Sequence, residues 1–286
     1  GGELTRFADV HAANEVTRLG RETLDLMCRE LRGRGVTLLE ADTDGVYCSV
    51  PASWNEADER RVVEEVAALL PPRVQLEFEG RYAAMLSHEP KNYALLRYDA
   101  TLILRGVAFR SSRAEPFGET FLRRALARLL IGDVTGVRQV YLETVQALRQ
   151  RALPTFQVSS RVRLTKSPAQ YRETREVRRE TPYEALLATG RTTWRSGERV
   201  RIYRTKQGAA GVAPDSDEHP PEGKHDLRDY DVDHYVRVLQ DTYAARMARA
   251  FTPGDFLALF ADPEQPSLFE PLFESIRPIL TSRPAS

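Results

Sequence analysis

Apolar residues recur every three or four places through residues 7–31, with Val16, Leu19, Leu24, Met27 and Leu31 on one stripe, and this spacing predicts a helix. The pattern then changes. Residues 36–50 read VTLLEADTDGVYCSV, an apolar strand, an acidic turn and a second apolar strand. Ser53-Trp54-Asn55-Glu56 has the form of a capping box, opening a second helix with Val62, Val63, Val66, Leu69 and Leu70 on its apolar side and Pro71-Pro72 as its stop. From 74 to 109 the chain reads as strands: VQLEFEG, YAAML, KNYALLRY and TLILRGVAF. Helical periodicity returns over 119–151, broken at Gly132, and again from about 231 to 250. Between them, residues 208–229 are rich in Gly, Pro and acid and read as a loop, and the Pro-punctuated end reads as a loosely held tail. No internal repeat is visible. Helix, hairpin, helix and further strands predict an α+β fold, an antiparallel sheet backed by helices, followed by a mainly helical part.

Charge sharpens this division. The chain of 286 residues balances 41 Lys and Arg against 41 Asp and Glu, so its net charge is zero. Residues 151–206 nevertheless hold 14 Lys/Arg against 5 Glu, a local +9 that the rest must offset with −9. A segment so basic is the footprint of phosphate binding. No apolar run reaches the length of a membrane span, and no signal peptide opens the chain. Two cysteines, Cys28 and Cys48, lack metal-ligand spacing and read as small core residues of a protein in the reducing cytoplasm. His219, His225 and His234, among Asp215, Asp217, Asp226 and Asp233, match no metal pattern and read as a hydrated acidic region.

Candidate chemistry centres on Asp42 and Asp44. Two carboxylates on a tight turn repel each other unless a cation lies against them, and hard oxygen ligands of this kind suit Mg²⁺. Taken alone, Asp44-Gly45 is equally a strong signal for an ordinary hairpin turn.

The ordered set of motifs resembles family B DNA polymerases. Asp42-Thr43-Asp44-Gly45 resembles motif C, which lies between two strands of the palm. RFADVHAANEVTRLGRETL before it resembles the palm helix after motif B, and Gly1-Gly2 resembles the residue pair just after the motif B Asn-Ser-x-Tyr-Gly segment. Lys91-Asn92-Tyr93 resembles the KxY motif, and GVAFRSSR (106–113) the passage from palm to thumb, while RVRLTKSPAQY and YDVDHYVRVLQ are similar to thumb elements. The resemblance covers roughly residues 3–260. It implies the C-terminal half of a palm over 1–115, a DNA-binding thumb over 116–260 and a flexible tail over 261–286.

The same resemblance assigns roles. Asp44 corresponds to the principal Mg²⁺ ligand and catalytic residue, Asp42 to its companion, and Thr43 to the spacer facing DNA. Lys91 and Tyr93 correspond to the pair that grips the primer duplex in its minor groove, although Pro90 stands where many relatives have Lys. Arg110 and Arg113 lie in the Arg-rich handover segment, without the Asp-Trp that follows in many members. In the basic stretch, Arg163, Lys166, Arg178 and Arg179 are the expected phosphate contacts. In the tail, Gln265-Pro266-Ser267-Leu268-Phe269 resembles the peptide by which bacterial polymerases dock on the sliding clamp, with Gln265, Leu268 and Phe269 as anchors. The implied activity is template-directed transfer of nucleotides from dNTP to a primer 3′-hydroxyl by a two-metal mechanism, in replication or repair. Motif A, the motif B lysine and the exonuclease acids lie upstream in the family, so an N-terminal polymerase portion is an expected partner beside primer–template DNA, and the chain alone is expected not to polymerise. The alternatives are a non-catalytic DNA- or clamp-binding subunit derived from such an enzyme and, more distantly, another two-metal palm enzyme such as a nucleotidyl cyclase.

Overall fold

The computed structural model describes residues 9–42, 45–111, 113–215, 226–264, 273–279 and 281–282. Helix α1 (Val10–Gly33) starts where the Asp9 carboxylate accepts from the Ala12 N–H. Its predicted stripe is only half used, because Met27 and Leu31 are buried whereas Val16 and Leu19 are exposed. Strands β1 (Thr37–Asp42) and β2 (Gly45–Ser49) follow and pair antiparallel. Helix α2 (Glu56–Ala67) does begin with a capping box, but one built two residues later than Ser53, from Asn55 and Asp58. Asn55 takes the cap because its side chain reaches the Ala57 and Asp58 N–H groups. Met27, Leu31, Val36, Val62, Val66 and Leu70 close a small core between these elements.

Residues 74–83 carry no strand, contrary to the pattern VQLEFEG, which had the alternation but found no neighbouring strand among the described residues to complete a ladder. Their Arg81 instead grips the buried Glu59 of α2 with two bonds, at 2.7 and 3.1 Å. Strands β3 (Ala84–Glu89), β4 (Asn92–Leu96) and β5 (Leu102–Arg105) form an antiparallel meander in the order β5-β4-β3.

Helices α3 (Pro116–Leu129) and α4 (Val134–Arg149) pack as a hairpin through Phe121, Leu122 and Leu126 against Val137, Tyr141 and Leu148. Gly132, with φ +80°, makes the predicted break between them, and Asp133 caps α4. This core does not stop at residue 115. Ala84, Leu86, Ala94 and Leu96 of the sheet belong to the same apolar cluster as the helical hairpin and as Met247 and Phe260.

The part after residue 116 was expected to be mainly helical, and the basic segment is where strands interrupt the helices. It folds as strand β6 (Ser160–Arg163), helices α5 (Pro168–Arg175) and α6 (Thr181–Ala188), and strands β7 (Arg199–Arg204) and β8 (Ala210–Ala213), with sheet order β6-β7-β8. β8 lies within the expected loop, because Ala-Gly-Val-Ala offers no side-chain pattern to betray a strand. A separate core of Leu164, Tyr171, Tyr183, Leu186, Trp194 and Val200 holds this unit. Glu184 ties its helices together, accepting from Arg175 (2.8 and 3.0 Å) and from the Tyr171 hydroxyl (2.6 Å). The Arg175 guanidinium, then the tyrosine bond, hold the Glu184 carboxyl down to about 2. A carboxyl lowered on folding adds stability above its unfolded value and loses it as pH falls toward the folded one. The wild type should therefore lose thermal stability between about pH 4.5 and 2, and Glu184→Gln should flatten that part of the Tm–pH curve. A parallel decline in both proteins would refute this role for Glu184.

The predicted helix over 231–250 is continuous but changes winding. Helix α7 (Val232–Val238) passes into a π turn (Leu239–Tyr243) and then a 3₁₀ segment (Ala244–Ala250), before helix α8 (Pro253–Leu259). The described parts of the expected loose tail are held down. Ile276 is buried, the Phe273 ring lies 5.5 Å from the Arg138 guanidinium, and strand β9 (Thr281–Ser282) adds to the β3 edge.

Candidate functional site

β1 carries Glu40 and Asp42 on one face, and Tyr47 of β2 stands directly across from Glu40. A bulge at Leu39 sets this phase by shifting the register between Leu38 and Glu40. Asp42 pairs with Gly45 at the strand ends, while Thr43 and Asp44 lie outside the described residues. Opposite stands the turn between β3 and β4. Glu40 accepts from the Ser87 hydroxyl at 2.9 Å and from the Lys91 backbone N–H at 2.5 Å. The Lys91 ammonium reaches the Asp42 carboxylate at 2.9 Å. Beside it, the Tyr93 hydroxyl donates to that of Tyr47 at 3.2 Å, with ring centroids 4.8 Å apart. Burial, with the Tyr93 hydrogen bond second, pushes the Tyr47 phenol well above its ordinary value, so it stays protonated. The acidic strand end and the KxY turn thus meet through side chains, with no ladder between their sheets.

The turn is shaped for this contact. Lys91 adopts φ +65°, a left-handed conformation that costs a residue with a Cβ about 1–2 kcal/mol. The two bonds to Glu40 and Asp42 help hold it there. Buried Asn92 braces the turn from below, donating to the Pro90 carbonyl and accepting from the Ala108 N–H. Gly106 (φ +86°) lets the following loop approach, since a Cβ there would lie 2.2 Å from the Lys91 carbonyl oxygen.

The remaining expected contacts are dispersed. Arg110 and Arg113 are exposed on the loop beyond Gly106. Arg163 is exposed at the end of β6, and Arg178 and Arg179 are exposed just past α5. Lys166 is committed inside the protein, its ammonium on Glu180 (2.6 Å) and the Thr174 hydroxyl (3.0 Å). That bonding ties the β6 end to α5, so the predicted phosphate contact serves in this structure as a structural link. Gln265, Leu268 and Phe269 lie outside the described residues, as do His219 and His225. His234 sits in the first turn of α7 with its ring against Tyr235, and Cys28 is buried while Cys48 is exposed rather than in the core. Sequence reasoning missed Glu40 and Tyr47. Strand alternation alone could have found Glu40, two residues before Asp42.

Asp42 supplies the hard oxygen that Mg²⁺ favours. Among the described residues no group of three or more His, Cys, Asp or Glu side chains could hold a metal ion. No described helix is long and apolar enough to cross a membrane.

The body is α+β, antiparallel sheets with helices, with an acidic strand end set against a Lys-x-Tyr turn. No protein-family model matches the chain. It is 32% identical over 146 residues to DNA polymerase 1 of Pyrococcus abyssi (strain GE5 / Orsay), covering 50% of this chain and 19% of that protein. Against the DNA polymerase of Methanocaldococcus jannaschii it is 25% identical over 245 residues, 81% of this chain and 14% of the relative. The solved structure of the family B DNA polymerase from the hyperthermophilic archaeon Pyrobaculum calidifontis shares its fold with a TM-score of 0.60 at 16% identity, over 92% of this chain and 31% of that one. The chain therefore spans less than a third of each. In sequence it is similar to a portion of archaeal DNA polymerases, and in fold to a portion of a family B DNA polymerase.

Proposed function

We propose that the chain is the metal-supporting and primer-gripping part of a DNA-directed DNA polymerase. In the reaction a primer 3′-hydroxyl attacks the α-phosphorus of an incoming dNTP, the new P–O bond forms, and pyrophosphate leaves. The observation that carries this reading is the 2.9 Å contact between Asp42 and Lys91, which brings the acidic motif and the KxY turn to one edge. Bound Mg²⁺ would supply charge neutralisation at the attacking and leaving oxygens. Asp44 and Asp42 would hold it, together with a carboxylate from an N-terminal polymerase portion. Lys91 and Tyr93 would keep the primer terminus in register, with Thr43, Arg110 and Arg113 along the same DNA path. Arg163, Arg178 and Arg179 would meet the duplex backbone further out, in a thumb that begins near residue 116. Gln265, Leu268 and Phe269 would engage a sliding clamp through a Leu-Phe anchor.

Primer extension tests this. The chain, combined with an N-terminal polymerase portion carrying motifs A and B, should extend a primer in Mg²⁺, and Asp44→Ala should abolish extension. Undiminished extension by the variant would sink the metal-ligand assignment. Full biological function without any complementing portion would favour the non-catalytic DNA-binding subunit instead.

A further inference from the structure

Two hairpins meet beside Asp42 through paired side chains. Glu40 stands directly across the β1–β2 ladder from Tyr47, and Ser87 directly across the β3–β4 ladder from Tyr93. Cross-strand partners project from the same face, so each hairpin presents one pair to the other. The Ser87 hydroxyl donates to Glu40 at 2.9 Å, and the Tyr93 hydroxyl donates to that of Tyr47 at 3.2 Å. Pair therefore meets pair, one side polar and the other aromatic, where no ladder joins the two sheets.

Glu40 does more than close one side of this square. Its oxygens are divided, Oε2 accepting from Ser87 and Oε1 from the Lys91 backbone N–H. Between those two donors lies the bulge that shifts the β3–β4 register from Ser87 to Glu89. A bulge leaves a ladder locally unpaired and bent, and a carboxylate that bridges it fixes its shape from outside. The bond to the Lys91 N–H acts on backbone at φ +65°, so it holds the turn whatever the lysine side chain does. Asp42, two residues on along the same face, takes the ammonium of that lysine instead. A turn held at one point can pivot, whereas one held at Ser87, Lys91 and Tyr93 cannot.

We propose that Glu40 is a positioning residue for nucleotidyl transfer, fixing the distance and tilt between the metal-binding end of β1 and the turn that grips the primer. This deepens the polymerase reading and rests on it. With both oxygens engaged by the turn, the carboxylate acts on the reaction through Lys91 and Tyr93 rather than as a ligand. In-line attack tolerates little error, and a misplacement of about 1 Å costs about a hundredfold in rate.

Extension by the reconstituted enzyme from a paired and from a mispaired primer terminus tests this. Glu40→Ala should lower extension from the paired end by about tenfold to a hundredfold, and from the mispaired end by much less, because a loosened turn forfeits an alignment that only the paired end had. The Mg²⁺ requirement should not move. Ser87→Ala, which leaves the carboxylate in place, should reproduce part of the loss, and adding it to Glu40→Ala should cost less than about a further twofold. In the full chain alone, Glu40→Ala should quicken hydrogen exchange over residues 87–93 with circular dichroism unaltered. Equal losses on paired and mispaired ends would give Glu40 a merely structural role and overturn the proposal. A raised Mg²⁺ requirement would make it a metal ligand, and unchanged exchange over 87–93 would mean that it does not hold the turn; either result refutes it. A wild-type enzyme that extends no primer removes the polymerase reading and this proposal together, whereas a competent wild type beside any of those results removes the proposal alone.

Discussion

Gly118→Ala should lower the unfolding free energy by about 3 kcal/mol or more, a large share of the roughly 5–15 kcal/mol that a native protein holds. Gly118 lies in the first turn of α3, where a Cβ would fall 2.0 Å from Cζ and 2.1 Å from Cε2 of Tyr243. Distances this short cannot be absorbed, so ring or helix has to move. The ring is confined, being 1% exposed and 5.8 Å, centre to centre, from Phe117. Its hydroxyl also donates to the Glu115 carboxylate at 2.6 Å and accepts from the Glu115 N–H at 2.9 Å. Shifting Tyr243 therefore trades an overpacked core for broken bonds at a buried phenol, each worth about 1–3 kcal/mol when left unmade. Urea unfolding followed by fluorescence measures the change. Gly20→Ala is the control, since a Cβ there meets nothing within 4 Å and the site lies within α1. It should be neutral or stabilising by about 0.5–1 kcal/mol. Equal midpoints for Gly118→Ala and wild type would show that the close approach is not a constraint on the fold.

Asp42→Asn should reduce primer extension by the reconstituted enzyme at least about a hundredfold, the rate equivalent of roughly 3 kcal/mol. Asparagine keeps the shape and removes the charge that would bind Mg²⁺ and that now meets Lys91 at 2.9 Å. Stability should be almost untouched, because the Lys91 side chain is 69% exposed and exposed ion pairs contribute only about 0–1 kcal/mol. Function and folding are thereby separated in one protein. Lys91→Met should raise the KM for primer–template more than it lowers kcat, as expected for a residue that holds DNA rather than metal. The double variant should lose less than the product of the two single losses, since contacting residues are not additive. Extension by Asp42→Asn within about twofold of wild type would remove Asp42 from the metal-binding set.

Much of the local structure was legible from periodicity. The stripes of α1, α2 and α3–α4, the break at Gly132 and the strands flanking Asp42 all follow from spacing and punctuation that act within a few residues. Failures fall where a partner distant in sequence decides. VQLEFEG has strand alternation, yet a strand needs a neighbour, and Arg81 turns instead to Glu59 of α2. Ala210–Ala213 looks like loop, yet β7 supplies a ladder to complete. Lys166 was expected at a phosphate because it lies in a basic run, but Glu180, fourteen residues on, takes its charge.

For function, the chain alone determined which residue types were available: Asp42 and Asp44 at a turn, Lys91 and Tyr93 two apart, and nine surplus positive charges within 151–206. Only the tertiary structure brought Lys91 to Asp42 across forty-eight intervening positions and set the Tyr93 ring, tilted, against Tyr47. Only strand register decided that Glu40 stands across from Tyr47 and Ser87 across from Tyr93, because a slip of one residue would turn Glu40 or Ser87 to the far face of its sheet. Local propensity acts over a turn or two of chain. Charge pairing and strand pairing act through space, and there the folded backbone sets the partners.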